Sequence, residues 1–474
     1  MASYSMYGID FGTTNTAVFE YFFTKDQIST TQHGEGDQPF PSLVALHPDK
    51  PPLFGMEVKK RRSQLKADGY VVVSSFKSIL GNDHPIKVGA NEHTPVDVTA
   101  LFLTYVKERV ERATGGKMQD AVIAIPVDFR PEQRRALREA ANLAGIHIRS
   151  FVSEPTAAYI FCQKKIAGAS NVAVFDWGGG TLDVSIISAD HGNIHELAVA
   201  GKRLGGNDID EMIARHIHAR IMQESGIPRM FEDMSGAEKD QIISRSEDAK
   251  KRLSIEDFAL IRLMKYGEKA MTRQSISLNE FQKLIAERIN DAVQVLYQAA
   301  HKASISLGQL DAILMVGGSC EMQPIVKRME EIAAEHDIPV SRPEDIQWVV
   351  AGGAAILAGQ NPSYKLQSDF GVLLSDNSIY SIFEAGQRIP CKSPELCFGV
   401  VEDTTNAIFV LVDGNKNELK RMVVPIKGFT AEGLHLNASI DEDMIAHVEI
   451  KSSYAEKMGK TGSMNQLSFS YCIE

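Results

Sequence analysis

Two segments of the sequence follow one pattern, YGIDFGTTNTAV at 7–18 and VAVFDWGGGTLDVSII at 172–187. In each, an apolar strand runs into an aspartate, an aromatic residue, glycine and small residues with threonine, and a second strand follows. The equivalent aspartates, Asp10 and Asp176, lie 166 positions apart (176 − 10). A repeat at that separation predicts two duplicated subdomains facing one another. Gly12, Gly178, Gly179 and Gly180 let the backbone come close to an anion, so that successive N–H groups form a nest. Thr13, Thr14 and Thr181 add hydroxyl donors, and an aspartate at each strand end suits Mg²⁺, which is held through its retained water. The pattern is neither GxxxxGK[ST] nor a GxGxxG ahead of a helix. One such loop would serve equally well as a plain hairpin turn. Two of them, with a third glycine pair in ILMVGGS at 313–319, predict a phosphate-binding nucleotide site.

A chain of 474 residues is expected to divide into two to four domains. Short apolar runs alternate with helical patterns through the first three quarters, the signature of α/β construction. From Pro131 to Ala144 the residues Ala136, Leu137, Ala140, Ala141 and Ala144 form one stripe that ends at Gly145. A second helix is expected from Leu278 to about Ser304. The segment GQNPSYKLQSD, with Pro362, reads as a boundary. Beyond it, strands are expected at 408–413, 421–427, 434–440, 446–452 and 466–472, with a turn at Asp413-Gly414-Asn415. The expected division is 1–359, a linker at 360–369, and a compact antiparallel β domain at 370–474.

Composition removes several function classes. A net charge of −11 provides no basic footprint for nucleic acid. No window approaches the roughly 20 apolar residues of a membrane span, and the first residues lack a secretory pattern. The five cysteines are scattered without a CxxC pair, which argues against a zinc site or disulfide framework and for a cytoplasmic setting.

With these features in place, the sequence resembles the actin-like (ribonuclease H-like) ATPase superfamily and, within it, the heat shock protein 70 (DnaK-type) chaperones. The motifs that carry the resemblance run in order along the chain: PFPSLVAL (39–46), FGMEVKKR (54–61), SFKSILG (75–81), AVIAIPVDFRPEQRRAL (121–137), VSEPTAAYI (152–160), RLGGNDID (203–210), EDAKKRLS (247–254) and VVAGGAAILAG (349–359), besides the two phosphate loops. The resemblance implies a duplicated actin-like ATPase domain followed by a C-terminal β-sandwich for peptide. It also implies slow, Mg²⁺-dependent hydrolysis of ATP to ADP. Thr13, Thr14, Gly179, Gly180 and Thr181 would bind phosphate, and Asp10 and Asp176 would hold Mg²⁺ through water. Asp183 would help order the hydrolytic water. Lys77 would stabilise charge on the γ-phosphate, and Glu154 would supply a carboxylate on the metal side. Glu247, Lys250 and Lys251, with Gly205, Gly206, Gly317, Gly318 and Ser319, would meet the nucleoside and its phosphates. Pro126 and Arg134 would relay nucleotide state to the peptide domain. By residue type alone, Lys77 reads as solvated surface, Glu154 as a helix cap, and EDAKK as a helix face with local ion pairs. The surrounding motifs decide for the functional roles.

The sequence departs from the family at three places. Glu321 stands where the family has an arginine that stacks on adenine, and a carboxylate cannot make that contact. The linker reads SYKLQSD instead of an apolar run. The chain also stops where a helical lid would begin, so a lidless, short-form groove with fast peptide release is expected. The leading expectation is an ATP-dependent chaperone for unfolded or extended polypeptides in folding and stress response, with a J-domain co-chaperone and a nucleotide exchange factor as implied partners. The competing one is a dedicated regulatory or scaffold protein that turns the same switch on a single partner. A sugar-kinase reading lacks its catalytic-aspartate motif.

Overall fold

The computed structural model describes every residue except 1–3, 25–27, 83, 167, 191–192, 227–228, 361–362, 401–404, 428–432, 454 and 473–474. Pro362 and part of the expected linker lie outside the described residues. The chain separates into two compact units. The first comprises 1–128, 136–189 and 196–359; the second comprises 129–135, 190–195 and 360–474.

The first unit contains the same sheet twice. Strands β1 (Tyr4–Phe11), β2 (Asn15–Phe23), β3 (Ile28–His33), β4 (Asp120–Ile125) and β5 (His147–Ser153) lie in the order β5-β4-β1-β2-β3. Strands β6 (Asn171–Trp177), β7 (Leu182–Asp190), β8 (Asn193–Lys202), β9 (Ala312–Val316) and β10 (Val340–Ser341) lie in the order β10-β9-β6-β7-β8. The registers match as well. Asp10 faces Ala17 across the first hairpin, and Asp176 faces Asp183 across the second, each pair seven residues apart. Both central strands run parallel to the next strand inward, with Asp10 beside Ala124 and Asp176 beside Val316. β4 and β9 read as unbroken apolar runs, as strands covered on both faces should.

Helices cover these sheets, and local chemistry sets their ends. Pro95–Thr114 starts from a capping box of Thr94 and Asp97 with Pro95 in the first turn, and stops at Gly115, whose φ of 70° is left-handed. Pro131–Leu143 and Leu278–Lys302 match the expected helices to within two residues. The predicted alanine and leucine stripe, from Ala136 to Ala144, is buried.

In the second unit, four strands pair in the order Ile379–Phe383, Phe370–Leu373, Asn406–Asp413, Glu418–Pro425. A further sheet is built on Gly433–Ile440, Ala446–Ser452 and Ala455–Met464. Both sheets contribute to one apolar cluster that includes Phe370, Leu411, Val424, Leu436 and Ile450. The turn after Asn406–Asp413 is held by Asp413 Oδ1, which accepts from the backbone N–H groups of Asn415 and Asn417, each at 2.9 Å. Strand Ala455–Met464 carries little apolar periodicity and was not expected. Ser363–Leu366, inside the expected linker, is a strand paired to Arg388–Ile389 on one edge and Phe469–Cys472 on the other. The latter strand also pairs with Asn193 and Ile194.

Candidate functional site

Every residue named above for nucleotide, metal or catalysis falls in the first unit. The two hairpins present their turns to each other. A Cβ added to Gly179 would lie 3.1 Å from Thr14 Oγ1 and 3.3 Å from its Cγ2. Glycine at 179 therefore lets the loops come this close without pressing on Thr14. Each turn is braced from behind. The Ser42 hydroxyl donates to Gly12 O at 2.8 Å, and the Ser42 N–H donates to Thr14 O at 2.9 Å. On the other side, Gly178 N–H closes its turn onto Thr181 O at 3.0 Å. Gly206 N–H and the Ser319 hydroxyl both donate to Gly178 O, at 3.0 and 2.9 Å. Asn207 N–H donates to Gly179 O at 2.8 Å.

This bracing explains the glycines. A side chain at Gly205 would collide with the Gly179 carbonyl, and one at Gly317 would meet Asp176 Oδ1 and Trp177 O, each at 2.5 Å. Gly317 also has a φ of 81°, which favours glycine. The sequence-predicted Gly205, Gly206, Gly317 and Ser319 therefore converge on the second hairpin.

Lys77 is delivered by a single turn, Phe76–Ile79, entered through Ser75 at a left-handed φ of 56°. Phe76 anchors that turn between Phe11 and Phe102, at centroid separations of 6.0 and 5.3 Å. Lys77 is only 4% exposed, and its ammonium donates to Glu154 Oε1 at 2.7 Å. It also lies over the Phe11 ring at 5.9 Å. Glu154 opens the helix Glu154–Cys162, capped by Ser153, whose hydroxyl accepts from Thr156 N–H.

Four carboxylates share this lysine's field. Burial, and then the charge of Glu154, raises Asp10 to about 7 against the pull of Lys77. Asp176 is pushed well above the usual range by burial and by Glu154, Asp10 and Asp183. Asp183 rises to about 6, chiefly through desolvation, with Glu154 and Asp128 adding to it. So much negative charge against one cation fits a divalent ion with its water shell. Among the described residues, no three His, Cys, Asp or Glu side chains converge as direct metal ligands. The donor set suits an ion held through water by Asp10 and Asp176.

Helix Gly236–Leu253 carries the expected nucleoside residues. Lys250 bonds Asp210 at 2.8 Å and Gly206 O at 2.8 Å, and so belongs to the bracing of the second hairpin. Glu247 pairs with Lys251 at 2.9 Å and with Lys59 of helix Gly55–Ala67 at 3.0 Å. Burial opposes ionisation of Glu247, but Lys59 and Lys251 overcome it and hold the carboxyl down at about 2. Lys251 is directed to this pair. Glu321 is exposed at the end of the Gly318–Glu321 turn. Arg134 lies in the second unit, where its guanidinium donates to Phe129 O at 2.6 Å and Asp443 O at 2.8 Å.

Three site-supporting residues escaped the sequence reading. Ser42 and Asp210 sat inside recognised motifs, PFPS and GGNDID, without an assigned role. Glu196 had no local signal at all. Its Oε1 accepts from the Ser153 and Thr156 hydroxyls, the latter at 2.8 Å, and so grips both sides of Glu154.

The family model described as Hsp70 protein matches residues 82–382, more than half of the chain. The chain belongs to the Hsp70 family, whose members are chaperone-type ATPases that bind nucleotide and Mg²⁺.

Proposed function

We propose that this Hsp70-family chain is a slow ATPase whose nucleotide state controls the grip of its second unit on extended apolar peptide. The observation that carries the ATPase half is the convergence of both phosphate hairpins with the buried Lys77 and its partner Glu154. The triphosphate would lie between Thr13–Thr14 and Gly179–Thr181, cradled by backbone N–H groups. When bound, Mg²⁺ would screen the phosphate oxygens from the clustered carboxylates. Lys77 would stabilise charge as it develops on the transferred phosphoryl group, and Asp183 would orient the attacking water. Gly206, Lys250 and Ser319 hold the loop that carries these donors.

The peptide half draws support from an apolar outer face on the second unit. Ile408 and Val423 are cross-strand partners, 58% and 45% exposed. Such a face suits apolar side chains of an extended segment that also pairs through its backbone. The loss of the stacking arginine at Glu321 would weaken adenine binding.

The test is single-turnover ATP hydrolysis with and without a Leu-rich peptide, with Lys77→Ala as control. Peptide acceleration of a Lys77-dependent reaction is expected. Hydrolysis indifferent to peptide, together with silence on a peptide array, would favour a switch dedicated to one partner.

A further inference from the structure

Strand Leu396–Gly399 pairs with Gly433–Ile440 in the register Leu396↔Leu436, Cys397↔His435, Phe398↔Leu434 and Gly399↔Gly433. Leu434 and Leu436 are buried in the apolar cluster of the second unit. Alternation then puts Cys397 and His435 together on the outward face. His435 Nδ1 lies 2.7 Å from Glu395 Oε1. A carboxylate can only accept, so Nδ1 carries a proton, and in the neutral tautomer the lone pair is on Nε2.

Gly433 shows where that lone pair lies. A Cβ built there would sit 3.5 Å from Cys397 Sγ, 3.7 Å from Ser453 Oγ and 3.8 Å from His435 Nε2. The thiol, the hydroxyl and the basic edge of the imidazole thus border one hollow, open because residue 433 has no side chain. A nucleophile, a base and a carboxylate that orients the base are the groups from which activated thiols are built, and here they are set about one hollow. Lys451, the register partner of His435 on the next strand, pairs with Glu449 at 2.9 Å. The other cysteines offer nothing comparable. Cys162, Cys320 and Cys472 are buried, with burial pushing Cys162 up to about 11 and Cys320 well above the usual thiol range. Cys391 is half-buried, and its thiol is raised by burial.

We propose that Cys397 is a reversible oxidation site that reacts with small hydroperoxides. His435 Nε2 takes the thiol proton while Sγ attacks one peroxide oxygen. An S–O bond forms, the O–O bond breaks, and the departing oxygen takes the proton from His435 to leave as water or an alcohol. The sulfur loses two electrons, the peroxide gains two, and Cys397 becomes a sulfenic acid, the rung of the thiol oxidation ladder that another thiol can reverse. The result is a polar group on the sheet face opposite Phe398, installed without any change at the nucleotide site.

The test exposes the full chain to hydrogen peroxide with dimedone present and follows each cysteine-containing peptide by mass spectrometry. Cys397 is expected to trap dimedone about 10-fold faster than any other cysteine, as its exposure and its neighbouring base require. His435→Ala should slow it about 10-fold and Glu395→Gln about threefold, less than the loss of a general base aligned on its proton, because His435 Nε2 shares the hollow with Sγ without a hydrogen bond to it. Gly433→Ala fills the hollow at ordinary contact distances and keeps both His435 and Glu395, so it separates loss of the site from loss of the fold. It should also slow labelling, with the far-ultraviolet circular dichroism unchanged. Faster labelling of Cys391, or equal Cys397 rates in wild type and in either folded variant, His435→Ala or Gly433→Ala, would overturn the proposal.

Discussion

The Lys77 ammonium donates to Glu154 Oε1 at 2.7 Å while remaining 4% exposed. A lysine so enclosed has one direction in which its charge is useful, towards the phosphate hairpins that share its field with Asp10, Asp176 and Asp183. Lys77→Met keeps the stem and removes the charge. It should lower single-turnover hydrolysis about 100-fold, the scale of losing one electrostatic donor to a transition state. ATP affinity should change less than tenfold. A variant that hydrolyses ATP at the wild-type rate would remove Lys77 from the chemistry.

Glu196 grips Ser153 and Thr156 on either side of Glu154, and so acts on the reaction through position alone. Glu196→Gln retains the acceptor oxygen and should stay within about twofold of wild type, while Glu196→Ala should lose about tenfold in hydrolysis rate, the scale of a misplaced catalytic group. In a Lys77→Met background the alanine change should add nothing, because the aligned pair is already gone. Full additivity in single-turnover rates would assign Glu196 a purely structural part.

The three raised carboxylates make a statement about pH. Asp10 has a folded value of about 7 against an ordinary value near 3.8. Below about pH 4 its protonated form costs the folded state nothing, and stability then falls as pH rises towards 7, because the folded state holds the proton that the unfolded chain releases. Without nucleotide or Mg²⁺, melting temperature should therefore decline between about pH 5 and pH 8, and Asp10→Asn should flatten that decline. Mg²⁺-ADP should stabilise more at pH 8 than at pH 5.5. A pH-independent increment in scanning calorimetry would show that the clustered charges are not what the ion compensates.

The duplicated hairpins were legible because their chemistry is local: glycine, threonine and aspartate at fixed spacing report a turn whatever surrounds them. The same holds for the capped helices and for Asn406–Asp413, where side-chain period matches backbone period. Contacts set by tertiary structure were not legible. Glu196 reaches Thr156 across 40 positions, and Lys59 reaches Glu247 across 188, and no local pattern pairs the two ends. Ser363–Leu366 read as a polar boundary because its strand character comes from two partners, Arg388–Ile389 and Phe469–Cys472, and not from its own alternation.

Close approach of the loops gives a steric prediction. Gly179→Ala places a methyl 3.1 Å from Thr14 Oγ1, tight enough to push the hairpins apart, whereas a Cβ at Gly180 meets no protein atom within 4 Å. Gly179→Ala should weaken ATP binding about tenfold, near 1.4 kcal/mol, as backbone donors move off the phosphate. Gly180→Ala should leave the melting temperature of the nucleotide-free protein within about 2 °C of wild type, since surface changes without new contacts are nearly neutral. Equal affinities for the two variants by isothermal titration would mean that the hairpins do not act as a clamp.

Arg134 offers a test of how the three segments of the second unit are tied. Its guanidinium is buried, with 8% exposure, and donates to Phe129 O on its own segment and to Asp443 O in the turn ahead of strand Ala446–Ser452. Desolvation lowers its pKa, and Asp443, Asp441 and Glu132 work against that loss. Arg134→Lys cannot fork to two carbonyls, and Arg134→Ala leaves both without this donor. The alanine variant should destabilise the second unit by about 1–3 kcal/mol, the range for removing a charged donor from buried acceptors. The lysine variant should recover less than half of that. If segment 129–135 conveys nucleotide state, peptide acceleration of hydrolysis should disappear in both variants while the basal rate persists. Retained acceleration with a lowered melting temperature would make Arg134 a structural tie and place the coupling elsewhere.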